Sequence, residues 1–459
     1  MNMHDGSADP KASPLERLLK IFADVRGGEA LAVLLLTFNI FLILTAYYII
    51  KTLREPLILN SEIPGFLKAI GIESRAEVKT YASAGQAIAL MAFIPAYSWI
   101  ASRVDRMRLI VSVTLFFVAN IVAFAFSVDA GVSYIGVAFF IWVGIFSLSI
   151  IAQFWSYAND IYTKEAGDRL FPIIGIGMTA GSPVGAWVAK RLFEARVDPS
   201  LMLYVAAGLL LLSLLAYLTV NRRASAPESR PASADETVGM GRKSGFSLVF
   251  ANRYILMIAG LLVLLNIVNT TGEFILSHLV EERANSLAAA DPSFDAGSFI
   301  GAFYGGFFFW VNIAAVVLQA FVASRLVKFF GLKGVLFALP LVALGAYGLI
   351  ALFASLGFVR WIKTAENSTD YSLMNTAKQL LWLPTTREEK YKAKQTVDVF
   401  FVRIGDVLAA VVVYLGTAWL SLGVRSIAVL NLGFVALSLL LALALVRRHR
   451  ALTSNVETV

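Results

Sequence analysis

Residues 357–403 read GFVRWIKTAENSTDYSLMNTAKQLLWLPTTREEKYKAKQTVDVFFVR and lie between two strongly apolar blocks. That position calls for a membrane-spanning helix, yet the stretch carries Arg360, Lys363, Glu366, Asp370 and Lys378. At about 3.6 residues per turn, positions 360, 363, 367, 370, 374 and 378 share one helical face. Arg360, Lys363, Asn367, Asp370 and Lys378 are therefore expected to point the same way. A charge at the bilayer centre costs at least about 2.5–3.5 kcal/mol, so such a face turns toward protein or a watery cavity. The stretch predicts a polar cavity inside a membrane protein, with the rest of the chain as its casing.

The composition agrees: 58% of the 459 residues are hydrophobic and only 15% are charged. Apolar blocks of roughly 20 residues recur along the whole chain, the length that crosses a hydrocarbon core of about 30 Å. They are continuous rather than alternating, which argues against strands. The expected fold is an all-α polytopic membrane protein. The chain has no cysteine, so disulfide and thiol chemistry are excluded. The first 28 residues are polar, with Lys11, Arg17, Lys20 and Arg26, and no cleaved signal peptide is expected. The net charge of +8 is read as cytoplasmic loop charge, not as a nucleic-acid surface.

About twelve spans are expected. The first six lie near 29–58, 80–101, 108–128, 132–160, 169–191 and 200–221. The second six lie near 253–280, 298–326, 333–353, 356–383, 393–421 and 424–447. Residues 222–247, rich in Pro, Ser, Ala and charge, form the linker between them. The domains expected are a cytoplasmic segment 1–28, a six-helix bundle 29–221, the linker, a second bundle 248–447 and a cytoplasmic tail 448–459. The halves echo each other. Phe22-Ala23-Asp24 precedes the first span and Phe250-Ala251-Asn252 the seventh; Ala101-Ser102-Arg103 closes the second and Ala323-Ser324-Arg325 the eighth. The offsets of 228 and 222 residues support a 6+6 pseudo-repeat. Basic residues such as Lys20, Arg103, Arg106, Arg222, Lys243, Lys328 and Arg447 gather in alternate loops, whereas Glu281, Glu282, Asp291 and Asp295 mark the other side. Both termini and the linker are thus expected to be cytoplasmic, with Lys190 and Arg191 as a local exception.

Two six-helix halves on a cytoplasmic linker resemble the layout of the major facilitator superfamily. The loop after span two, YSWIASRVDRMR, is similar to that superfamily's loop signature, with Ser102 in place of the usual Asp. The run Gly177-Met178-Thr179-Ala180-Gly181-Ser182-Pro183-Val184-Gly185 resembles its span-five antiporter motif and reads equally as small-residue helix packing.

Polar residues concentrate on spans one, four, seven and ten, which occupy equivalent places in the repeat. Tyr47, Lys51, Arg54 and Glu55 share a face of span one. Asn159 and Asp160 end span four, and Asn266, Asn269, Thr270, Glu273 and Ser277 line span seven. Each has a structural alternative. Lys51 would reach the interface by snorkelling, Lys394 and Asp398 would form an ordinary i,i+4 ion pair, and Asp160 would cap a helix. No GxxxxGK[ST] is present, and His4, His278 and His449 are scattered, so neither an ATP-driven pump nor a zinc site is expected. The chain is read as a carrier, not an enzyme, with no cofactor.

At two stretches the sequence resembles the ATP:ADP antiporter family of bacterial and plastid nucleotide transporters. One is FWSYANDIY with Arg169-Leu170-Phe171-Pro172 and the residues that follow. The other joins Tyr371-Ser372-Leu373, Lys378, Pro384, Glu389 to Lys394 and Val397-Asp398-Val399. The resemblance implies nucleotide exchange across a bacterial inner membrane by a major-facilitator-like carrier. It implies a span-one base at Arg54, acids at Asp160 and Glu273, and a base before span eleven at Lys392 or Lys394. Leu53-Arg54-Glu55-Pro56 departs from the family's usual Lys-Asp pair. The expected substrate contacts are Lys51, Arg54, Glu55, Asn159, Asp160, Glu273, Lys363, Asp370, Lys378, Lys392, Lys394 and Asp398. The expected partners are an anionic nucleotide and the bilayer, with no nucleic acid and a monomeric carrier. Alternatives are a proton-coupled exporter, with Asp160 or Glu273 carrying the proton, and a scaffold or sensor that transports nothing.

Overall fold

A computed structural model describes residues 29–224 and 244–454. The expected segment 1–28 and the central part of the linker, 225–243, lie outside the described residues. The described chain is nearly all helix, and ten stretches are long and apolar enough to cross a membrane. The first half comprises α1 (Ala30–Leu59), α2 (Arg75–Ala101), α3 (Arg106–Asp129), α4 (Ile135–Ile161), α5 (Lys164–Glu194) and α6 (Pro199–Ala224). After a short helix, Gly245–Ala251, the second half opens with α7 (Arg253–Ala290). Ala296–Val317 then runs through a π-helical turn, Leu318–Ala323, into Ser324–Leu352. Gly331, at φ 59° and ψ −149°, breaks this run. Glycine alone adopts such a backbone readily. The two legs, 296–330 and 332–352, are α8 and α9.

The next helix, α10, spans residues 356–381 and contains a π turn at Asp370–Met374; its charges keep it out of the ten apolar stretches. Then α11 runs over residues 389–419, with π turns at Glu389–Ala393, Val397–Phe401 and Leu415–Trp419. Finally α12 (Val424–Ser454) carries Arg447 and Arg448 on its last turns, so it outruns the span expected to end at 447.

Two boundaries differ from expectation in a way that matters. Span two was expected from 80, but α2 begins at Arg75, because Glu77 and Lys79 are buried against other helices rather than exposed to solvent. Span seven was expected to stop at 280, but α7 continues to Ala290. Its Glu281 carboxylate accepts hydrogen bonds from the backbone N–H groups of Arg75 and Ala76, both at 3.0 Å, and from Ser74 Oγ at 2.8 Å. Those N–H groups have no partner inside α2, so the second half caps a helix of the first.

The glycine run of α5 packs that helix onto α1. A Cβ at Gly181 would come 2.6 Å from the Phe41 carbonyl oxygen, and one at Gly185 would come 2.5 Å from that of Thr45. Small residues let two membrane helices approach at backbone distance. A buried tie from Asn39 Nδ2 to the Ser213 carbonyl, at 2.9 Å, adds α6 to this core. The halves meet along two seams, α1 and α5 against α8, and α2 against α7 and α11. One apolar core runs from the first half into α7 and α8 at the end away from the linker, uniting Phe193, Ile275, Ile300 and Tyr304. A second core, around Tyr254, Trp382 and Leu445, belongs to the second half alone and lies at the linker end.

A charged path between the halves

Three charge clusters stand where α1, α2, α7, α8 and α10 face one another. The first centres on Glu55, which is fully buried. Arg54 donates to it through Nη2 at 2.6 Å and Nε at 3.1 Å, and Lys79 Nζ lies 2.7 Å from its other oxygen. Lys79 also donates to Ser277 Oγ at 2.8 Å and lies 3.4 Å from the Tyr304 hydroxyl, so it joins the first half to α7 and α8. The Arg54 guanidinium rests on the Phe140 ring, 4.1 Å from its centroid. Two cations over one carboxylate leave this cluster positive.

Lys51 stands one turn before Arg54 on α1. Its ammonium is 4.5 Å from the Phe308 ring centroid, 5.1 Å from that of Tyr48, and 5.9 Å from those of Tyr47 and Tyr371. Aromatic faces attract a cation by about 0.5–2 kcal/mol, weaker than a carboxylate but enough to hold it in place. The rings come from α1, α8 and α10, so both halves contribute.

The third cluster lies within the second half. Lys363, fully buried, pairs with Glu366 at 2.9 Å. The ammonium also donates to Asn269 Oδ1 at 3.3 Å and lies 3.9 Å from Glu273. The Tyr347 hydroxyl is 3.1 Å from Glu366 Oε1 and 2.9 Å from the Val268 carbonyl, and Asn367 Nδ2 donates to Glu273 at 2.9 Å. Gly272 makes this assembly fit, because a Cβ there would strike the Tyr347 hydroxyl and the Lys363 ammonium. Beside it, Asn266, Asn269, Glu366, Asp370 and Lys378 line a cavity of about 40 Å³, room for water but not for a nucleotide.

The structure sorts the expected site residues. It brings Lys51, Arg54, Glu55, Glu273 and Lys363 together along the path, and sets Asp370 and Lys378, 3.8 Å apart, at its edge. Arg360 leans on the Phe303 and Trp361 rings. The other expected residues stand apart. Asn159 and Asp160 are exposed at the linker-end tip of α4, where Asp160 pairs with Arg106 at 3.0 Å. Lys392 pairs with Glu388 at 3.2 Å. Lys394 donates to Gln379 at 2.8 Å rather than pairing with Asp398. Asp398 is exposed. Lys79 and Tyr347 were missed. Lys79 fell outside the expected span, and a lone tyrosine in an apolar block carries no signal. Glu366 and its partner Lys363 were both visible as charges in an apolar setting, three residues apart, but their pairing was not drawn from the spacing.

The sequence profile described as TLC ATP/ADP transporter matches residues 133–446. The chain belongs to this TLC ATP/ADP transporter family. ADP,ATP carrier protein 1 of Chlamydia pneumoniae is 25% identical over 298 residues, 56% of this chain and 56% of that protein. The chloroplastic ADP,ATP carrier protein 1 of Arabidopsis thaliana is 24% identical over 281 residues, 55% of this chain and 44% of that protein. The match thus spans about half the length of these relatives. The family profile begins at 133, so α1 and α2, with Lys51, Arg54, Glu55 and Lys79, lie outside it.

Solved structures share the fold of this TLC-family chain. The nucleoside transporter NupG superposes with a TM-score of 0.63 at 14% identity, covering 91% of this chain and 99% of that one. A bacterial homologue of the human lysosomal transporter Spinster, inward-facing and unoccupied, gives 0.62 at 13% identity, covering 93% and 99%. These likenesses speak to fold alone, and the fold is the major-facilitator-like one expected from the 6+6 echo.

Proposed function

We propose that this protein is a secondary transporter that exchanges nucleotides such as ATP and ADP across a bacterial inner membrane by alternating access. The observation that carries the reading is the charged path of a TLC-family chain, with Lys51, Arg54, Lys79 and Glu55 where the halves meet and Lys363, Glu273 and Glu366 beside them in the second half. Lys51 is the base whose ammonium faces rings, which leaves its charge open to phosphate oxygens, and Arg54 beside it offers a bidentate fork. Tyr47, Tyr48 and Tyr371 around that ammonium suit a nucleobase.

In this reading the chain crosses the membrane twelve times as a monomer, with both termini and the linker cytoplasmic. The halves are two bundles that rock about their seams. Supporting it, the ties described between them fall midway or at the end away from the linker: Glu281 on the cap of α2, Lys79 with Ser277, and Tyr48 OH with Asn312 Oδ1 at 3.0 Å. The conformation would then be open toward the cytoplasm. Asp370 and Lys378 stand on that route inward; Asn159, Asp160, Lys392, Lys394 and Asp398 would act at its mouth or not at all. Proteoliposomes preloaded with ADP test the proposal. They should take up labelled ATP faster than empty ones. Equal uptake with and without preloading removes exchange, and no uptake of any nucleotide removes the substrate.

A further inference from the structure

We infer that Glu366 is a proton carrier, which takes up one proton when Lys363 leaves it for an anion, so that anion binding and proton uptake are coupled. The geometry carries this. Glu366 is 3% exposed, and among the described residues Lys363 is the one cation within ion-pair distance of it. Its other close neighbour is the Tyr347 hydroxyl of α9, whose single proton is shared with the Val268 carbonyl. The remaining groups facing it are Asn269 and Glu273 from α7, and Asp370 with its partner Lys378 on its own helix. Two of these are acids, and neither helps Glu366 to stay ionised.

Lys363 is placed to move. Its ammonium already touches Asn269, which lines the cavity, and lies 3.9 Å from Glu273, whose side chain is one quarter exposed. A phosphate on the path therefore competes for Lys363 with a carboxylate from which it need shift only a few ångströms. Once Lys363 turns away, Glu366 is a buried carboxylate with no countercharge. Such a group takes up a proton rather than remain charged in a medium of low dielectric. The cavity of about 40 Å³ that Glu366 lines has room for the water that delivers it. The balance is simple. An O–H bond forms on Glu366 with a proton from bulk water, Lys363 stays an ammonium, and no bond in the substrate breaks. The bound state holds one proton more than the empty one, so affinity rises as pH falls, by about tenfold per pH unit across the window of exchange.

The substrate in this inference rests on the transport reading above; the carboxylate switch does not, and the test separates them. Infrared difference spectra of the full chain, without nucleotide, should show a protonated carboxyl band in Lys363→Gln. The band should be absent from Lys363→Arg and from the Lys363→Gln/Glu366→Gln double variant. A folded Lys363→Gln protein without the band overturns the proposal. Calorimetry with ADP, and with pyrophosphate as a base-free anion, in buffers of different ionisation heat should find about one proton taken up per anion by the wild type and none by Glu366→Gln. Equal uptake in Glu366→Gln overturns the proposal, and this arm decides alone if Lys363→Gln does not fold. If the band appears but neither anion binds, the switch stands and the nucleotide reading falls.

Discussion

Replacing Glu55 by Gln should open the end of the molecule that this conformation keeps shut. The carboxylate holds Arg54 at 2.6 Å and Lys79 at 2.7 Å, and Lys79 in turn holds Ser277 across the seam. The amide keeps the shape and one acceptor but removes the charge. Arg54 is 14% exposed and keeps its contact with Phe140, so it adapts; Lys79 is 7% exposed and is left as a buried cation without an acid. Breaking a buried pair by removing one partner costs about 3–5 kcal/mol. Taking the low end, since Ser277 and the new amide still accept, the closed seam weakens by about 3 kcal/mol. At about 1.4 kcal/mol per tenfold, the open population rises roughly a hundredfold. The chain has no cysteine, so Ala76→Cys, at a fully buried position on the capped end of α2, reports opening by its rate of maleimide labelling. Labelling should be about a hundredfold faster with Glu55→Gln present. An unchanged rate, in protein that still unfolds cooperatively, would refute the claim that this cluster holds the seam.

Lys51→Met should lower nucleotide exchange in proteoliposomes by at least about tenfold, with part restored in Lys51→Arg, because a charge-assisted contact to phosphate is worth about 1.5–3 kcal/mol. Gly181→Val should lower thermal stability by at least about 1–3 kcal/mol, since its side chain meets the α1 backbone; a melting curve decides it. Asp160→Asn should change exchange and stability little, within about 1 kcal/mol, because the Arg106 pair is about two-fifths exposed. Asp295→Ala should cost about 0.5–2 kcal/mol in thermal unfolding, since that carboxylate caps α8 through the Ser298 N–H at 2.9 Å.

Much of this protein is legible in one dimension because a bilayer imposes one-dimensional rules. Length and apolarity locate a candidate crossing helix whatever it packs against, so the ten apolar stretches of the described chain follow from the order of residues. Periodicity then tells which face a charge occupies, and the cost of lipid exposure tells that the face is covered. On those grounds Lys51, Arg54, Glu273 and Lys363 are expected on inward faces, and they come together where α1, α7, α8 and α10 meet, whereas Asn159 and Asp160, expected there too, are exposed.

Partners on different helices were not legible. Glu55 meets Lys79, 24 positions on, and Lys79 meets Ser277, 198 positions further. No spacing rule joins residues on helices whose neighbours are set by packing. The i,i+4 spacing of Lys394 and Asp398 suggested a pair, yet Lys394 reaches Gln379 on α10 instead. The ambiguous glycines of α5 needed the third dimension too. Gly177, Gly181 and Gly185 are the groove in which α1 lies. Sequence order determined that charges fall within and between long apolar stretches, since apolarity is a property of the residues themselves. Which charge holds which, and at which end the halves are joined, depends on distances between helices, and those arise only when the two bundles pack.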